Sequence, residues 1–374
     1  MTKIKILYIT GGKLFDNRHR KLLSIVRNLD ADKYEFSIVC PENYLLIERL
    51  KHFDIPVYAI DLPRRISSKY TNLLVKLQLG EKFNVVHSFD YASGLYSRLL
   101  KKKFPGIVCI HSSEPLLEFE YKSYLVKQVD KSTMQYLSRF TDIMICENEQ
   151  DEMLAVKNKY ISENCTVLIP NSVSVSGFAN LKKNTEVMNG LGFDENNFII
   201  GNISNFIEKN NQKVLIRAAY YLVKKYPQMR FVFIGSGKIL NSLRELVKQS
   251  ALEDYTAFVF EKEILTEYYS IFDLFVLTDL WGGSSSVLLE AMASRLPVIC
   301  SNTYTYSSVA KDNFTGMVFD SKDMDELFWK IESLYKQEEK RNIIAQNAMI
   351  ESTQYDDSEI FPRIESVYLK ALTV

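Results

Sequence analysis

The sequence predicts an α/β chain of two similar domains, each a parallel sheet with helices on both faces. Short β-branched runs alternate with longer amphipathic stretches, the pattern of strands joined by crossover helices. The alternation weakens once, over residues 171–192, and then restarts. At 374 residues, 47% hydrophobic and 25% charged, the chain is long enough to bury two cores of ordinary size. Two domains imply a cleft.

Strands are expected at 4–9, 35–40, 57–60, 85–87, 107–111, 143–146 and 167–169, with helices such as 18–29, 73–79 and 121–140 between them. Strands separated by helices run parallel, because each crossover returns the chain to the sheet in the same direction. After Pro170-Asn171 a stretch rich in Ser, Asn and Gly, 171–192, reads as a linker. The second domain then supplies strand 198–203, helix 212–226, strand 231–234, helix 240–249, strands 256–260 and 274–277, a helix carrying Glu290, and strand 297–300. The expected division is 1–175, with a closing helix at 357–374, against 176–356.

Composition narrows the function classes. The five cysteines are odd in number, far apart and mostly inside apolar runs, so they read as buried thiols in a reducing compartment. No metal-ligand spacing is present. The apolar start, 4–9, stops at Gly11-Gly12, too short for a signal peptide or a membrane span, which points to a cytoplasmic protein.

The formal net charge is zero, but residues 1–103 hold 19 Lys/Arg against 10 Asp/Glu. With Arg64-Arg65 and Lys101-Lys102-Lys103 as local clusters, this basic face suits an anionic acceptor or peripheral association with the inner face of an anionic membrane. Plain solvated helix faces are the alternative. Nucleic acid is not expected as a partner, because no continuous basic stripe with interleaved aromatics and no reading motif is present.

Ligands of open α/β sheets bind beyond the carboxyl ends of the strands. Gly11-Gly12 follows the first strand and Gly235-Ser236-Gly237 a later one; each is either a plain turn or a close backbone approach to a ligand. Lys209-Asn210, ahead of the 212–226 helix, places an ammonium where a phosphate could sit, or is an ordinary exposed helix start. His87 and His111, two of only four histidines, both end strands and are either structural or functional. The small-residue run Ser284-Ser285-Ser286 opens the helix that carries Glu290. Its first-turn N–H groups and dipole suit a phosphate, with the carboxylate for a sugar hydroxyl; the alternative is a capped helix packed on the sheet.

Taken in order, these motifs resemble the family 4 glycosyltransferases, retaining enzymes of the GT-B fold, and the likeness covers nearly the whole chain. Ile169-Pro170-Asn171-Ser172-Val173 looks like the family's Pro-Asn-Gly-Val junction, and Lys209-Asn210 like its Lys-Asn helix start. Phe233-Ile234-Gly235-Ser236-Gly237 looks like its glycine loop. Leu289-Glu290-Ala291-Met292-Ala293 with Pro297-Val298-Ile299 is similar to the second half of its signature. The resemblance implies two Rossmann-like domains facing a central cleft, and a closing helix that crosses back to the first.

For function the resemblance implies transfer of a sugar from a nucleotide-sugar donor, UDP-linked, to a glycan, lipid-linked or protein acceptor in bacterial surface polysaccharide or glycoconjugate synthesis. Glu290 would accept hydrogen bonds from the ribose, Lys209 would neutralise the diphosphate, and His111 would hold the donor sugar or the transferred proton. Gly11, Gly12, Asn205, Gly235, Gly237, Gly282, Gly283, Ser284, Ser285 and Ser286 would line the donor site. The nucleotide sugar is a substrate, so no cofactor and no metal is expected.

Departures from the family pattern fall on the donor side. Its first signature glutamate is Gly282 here, the arginine before its Lys-Asn pair is Asn205, and its glycine pair and acidic residue match Tyr304, Thr305 and Ser308. These support an alternative reading, a catalytically degenerate GT-B subunit that binds a partner glycosyltransferase, a glycan or a nucleotide.

Overall fold

The computed structural model describes residues 3–13, 15–42, 44–113, 116, 123–260, 265–283 and 285–373. The chain divides into two units, Met1–Asn171 with Asp357–Val374, and Ser172–Asp356.

The first unit holds a seven-stranded parallel sheet: β1 Ile4–Ile9, β2 Tyr34–Cys40, β3 Val57–Ala59, β4 Val85–Ser88, β5 Val108–Ser112, β6 Ile143–Cys146 and β7 Thr166–Leu168. Their order, β3-β2-β1-β4-β5-β6-β7, reverses direction between β1 and β4. Alternate residues serve opposite faces. Ile6, Tyr8 and Ile38 meet Leu22, Ile25 and the closing helix, whereas Leu7, Ile9 and Val39 join Leu95, Leu100 and Leu137. The closing helix, Asp357–Thr373, buries Ile360, Phe361, Ile364, Val367 and Tyr368 in the first unit's core, a helical spacing that forms one stripe.

The second unit holds a six-stranded parallel sheet: β8 Phe198–Ile203, β9 Met229–Ile234, β10 Thr256–Val259, β11 Leu274–Leu277, β12 Val298–Ser301 and β13 Met317–Phe319. The order is β10-β9-β8-β11-β12-β13, so strand order reverses between β8 and β11. At such a reversal neighbouring loops leave in opposite directions and open a crevice at the carboxyl edge.

Several expectations differ in detail. The stretch 171–192 is not a linker: it forms the helices Val175–Phe178 and Thr185–Gly190, and Val173 and Met188 enter the second core. Its apolar residues are too unevenly spaced to show a period. Backbone bonds from Val173 to Tyr355 and from Val175 to the Asp356 carboxylate, both 2.9 Å, hold it in the second unit, which begins at Ser172. The expected 73–79 helix spans Ser68–Glu81. The expected 121–140 helix is Tyr124–Leu137, and residues 121–122 lie outside those described. Tyr91–Lys103 was not anticipated because it is buried on nearly every side and shows no polar face, although the Asp90–Ser93 capping box marks its start. Among the described residues no helix is long and apolar enough to cross a membrane.

Candidate active site

In the second unit the loop after β8 closes on itself. The Asn210 side-chain amide donates to the Asn205 carbonyl at 2.8 Å, and Gln212 donates to the same oxygen at 2.9 Å and to Ser204 Oγ at 2.8 Å. Asn211 takes a left-handed conformation, φ 49°, to turn the chain into the helix Gln212–Lys225. Two bonds tie this turn to the segment after β11: Thr278 Oγ1 donates to the Asn210 carbonyl at 2.7 Å, and Leu280 N–H to the Lys209 carbonyl at 2.8 Å. The partly exposed Lys209 therefore stands at the β8–β11 reversal, beside the loop that feeds the Glu290 helix.

That loop is shaped from below. The Asp279 carboxylate accepts a hydrogen bond from the Tyr306 hydroxyl, and its carbonyl accepts one from Ser301 Oγ at 2.7 Å. Gly282 and Gly283 follow with φ 65° and 118°. A Cβ at Gly283 would lie 2.5 Å from the Tyr306 ring, so glycine lets the loop lie on that ring. The helix Ser285–Ala293 is buried along its whole length. Ser285 and Ser286 form its first turn, where backbone N–H groups have no partner within the helix itself. Ser284 lies outside the described residues.

Glu290, buried in the second turn of the helix, accepts a hydrogen bond from the Tyr269 hydroxyl at 2.9 Å; the same hydroxyl lies 3.2 Å from the Val287 carbonyl.

Gly235 and Gly237 stand under the Asn205 loop. Cβ atoms there would meet the Ser204 and Phe206 carbonyl oxygens at 2.1 and 2.3 Å, and Phe206 N–H donates to the Ser236 carbonyl at 2.8 Å. Their visible work is to let two backbones stack, which holds Asn205 at the crevice edge. The Asn205 side-chain amide has no hydrogen-bond partner among the described residues.

In the first unit, β1, β4 and β5 bring the remaining candidates to one edge. Ile9 pairs with Ser88, and Ser88 with His111. Gly11 N–H donates to Asp90 Oδ2 at 2.5 Å, and Gly12 has φ 90° beside the Arg18 guanidinium. His111 is buried with Nδ1 2.9 Å from Ser88 Oγ, which in turn accepts from Ser97 Oγ at 2.9 Å. Burial, then the Arg98 guanidinium and His87, holds His111 well below the usual histidine range, so its ring is neutral at physiological pH.

His87 is structural: it stacks on Phe89 at 4.4 Å, and its two nitrogens are taken by Tyr368 at 2.8 Å and Ser112 at 2.9 Å. Sequence reasoning missed Asp90, Tyr269, Asp279 and Tyr306. Only Asp90 left a signal, its capping spacing to Ser93.

Two family models match the chain. Residues 20–176 match Glycosyltransferase Family 4, and residues 183–350 match Glycosyl transferases group 1. The UDP-Gal:alpha-D-GlcNAc-diphosphoundecaprenol alpha-1,3-galactosyltransferase of Escherichia coli is 25% identical over 333 residues, 87% of this chain and 86% of its own length. The alpha-monoglucosyldiacylglycerol synthase of Acholeplasma laidlawii is 22% identical over 376 residues, 93% and 92% of the two chains. Among solved structures, Anabaena Alr3699/HepE in complex with UDP and glucose superposes with a TM-score of 0.85 at 17% identity, over 98% of this chain and 100% of that one. That likeness extends to the fold.

Proposed function

This chain is a glycosyltransferase by the matches of both its halves, and we propose that it moves a sugar from a UDP-linked donor to a lipid-linked or glycan acceptor in bacterial surface polysaccharide assembly, with retention at the anomeric carbon. The observation that carries this reading is the 2.8 Å bond from Leu280 to the Lys209 carbonyl, which joins the lysine turn to the loop entering the Glu290 helix.

As the bond between sugar and diphosphate lengthens, negative charge builds on the leaving oxygens. The Lys209 ammonium and the first-turn N–H groups at Ser285 and Ser286 stabilise that charge more in the transition state than in the ground state. Glu290, held by Tyr269, takes the ribose hydroxyls and fixes the nucleotide in register. No step of this scheme calls for a metal ion.

Gly282 and Asn205 stand where the family carries a glutamate and an arginine. Their part in gripping the sugar passes to the Asn205 amide and to backbone groups of the 282–283 loop. His111 is neutral and anchored through Nδ1 within the first unit, which leaves Nε2 as its proton-accepting or proton-donating nitrogen. Support for a lipid-linked acceptor comes from the names of the Escherichia coli and Acholeplasma relatives and from the basic first unit. A transfer assay with UDP-sugars and a diphospho-polyprenyl acceptor tests the reading, and turnover that survives Lys209→Ala and Glu290→Ala together counts against it.

A further inference from the structure

The two basic clusters of the first unit, far apart in sequence, converge on one helix. Arg64 comes within 3.7 Å of the Asp130 carboxylate and Lys102 donates to the Tyr136 hydroxyl at 3.1 Å; both partners belong to the helix Tyr124–Leu137. Arg64-Arg65 and Lys101-Lys102-Lys103 therefore flank a single element.

That helix turns apolar side chains outward. Leu125 is 77% exposed and Val129 64%, and Tyr124, Val126 and Tyr136 are also exposed. Leu125, Val129 and Tyr136 recur at intervals of four and seven, so they lie on one stripe. The opposite side supplies Met134 and Leu137 to the core and buries Asp130, the helix's only carboxylate. The outward face thus carries aliphatic and tyrosine side chains with Lys131 on the same helix and Arg139 just beyond it. Among the described residues Lys102, Lys103, Lys131 and Arg139 meet no carboxylate.

We infer that the outward face of the Tyr124–Leu137 helix docks on an anionic lipid bilayer, with Leu125, Val126 and Val129 entering the boundary between headgroups and acyl chains and Lys102, Arg65 and Arg139 meeting lipid phosphates. This deepens the reading of a lipid-linked acceptor and rests on it. A helix lying in the interface with an apolar stripe and a basic rim gains from both burial and counterion exchange. A second copy of this chain fits worse, because an isologous contact through this face would oppose the two basic rims.

The test is sedimentation with sucrose-loaded vesicles of phosphatidylcholine, with or without phosphatidylglycerol, free of any acceptor. The wild-type protein is expected to bind the anionic vesicles, and at least tenfold more weakly once phosphatidylglycerol is removed. Leu125→Ser/Val129→Ser is expected to weaken binding roughly tenfold or more with an unchanged melting temperature, since both side chains are exposed. Transfer to a short-chain water-soluble acceptor should stay as in wild type.

Equal binding by the double variant, no wild-type binding, or a dimer that the variant dissolves would each overturn the surface. Because the vesicles carry no acceptor, failed transfer to a lipid-linked acceptor in detergent with vesicle binding intact would count against the acceptor reading alone.

Discussion

The backbone N–H of Leu280 donates to the carbonyl of Lys209 at 2.8 Å, so the loops leaving β8 and β11 are fastened at the point where strand order reverses. The bond uses only main-chain atoms and leaves the ammonium of Lys209 to be aimed by its own side chain. On the proposed reading, a diphosphate in the crevice would meet the cation from one loop and the first turn of the Glu290 helix from the other.

Replacing the cation should therefore reach the chemical step. Lys209→Ala removes a charge-assisted contact of about 1.5–3 kcal/mol, which lowers kcat/KM by roughly 10- to 150-fold. The main-chain bond to Leu280 survives, so the melting temperature should hold. Steady-state kinetics beside a thermal melt check this; equal loss in both would mean that the lysine is structural.

Tyr269→Phe tests what aims the carboxylate. The variant deletes the 2.9 Å bond to Glu290 and should raise the Kd for UDP by roughly tenfold. Calorimetric titration reads the change, and unaltered affinity would show that Glu290 needs no such support.

The glycines should separate by surroundings. Gly235→Ala forces a Cβ to 2.1 Å from the Ser204 carbonyl at φ 154°, where backbone cannot yield, and should cost about 1–3 kcal/mol or more. Gly80, inside the Ser68–Glu81 helix with nothing near its missing Cβ, should gain roughly 0.5–1 kcal/mol on change to Ala. Urea unfolding of the two variants should move in opposite directions.

Much of this architecture was legible in the sequence. β6 and β11 have the expected bounds because each is an unbroken apolar run between polar neighbours, and β1 and β8 match as well, apolar apart from Lys5 and Gly201-Asn202. The Lys209 turn and the Glu290 helix were legible too, since both follow strand ends. Tyr269 and Tyr306 were not: a tyrosine in an apolar setting looks the same whether its hydroxyl holds a carboxylate or only fills a core. The pairings of Tyr306 with Asp279 and of Tyr269 with Glu290 join residues more than twenty positions apart, beyond the reach of any local period.

Acid should weaken the first unit in a defined window. His87 and His111 are both held well below the usual histidine range, chiefly by burial. Below about pH 6.5 the unfolded chain takes up protons that the folded one refuses. Stability is then complete above that pH and falls as pH drops, by about 1.4 kcal/mol per unit for each histidine until the folded pKa is reached. Asp16, held low by Arg18 and His19 against its burial, loses its contribution only in the carboxylate range and lies outside this window. Urea unfolding between pH 7.5 and 5.5 should slope accordingly, and His111→Asn should remove about half of the slope. A flat profile would mean that these rings titrate normally.

The most direct test is a thermal melt with UDP on the wild-type chain, Lys209→Ala and Glu290→Ala. At 100 times the Kd, UDP should stabilise the wild-type protein by about 2.7 kcal/mol, a rise of roughly 5–10 °C in the second unit's Tm, and both variants should lose most of that shift. No shift for the wild type, or an equal shift in all three, would contradict a donor site at the Lys209 turn and the Glu290 helix.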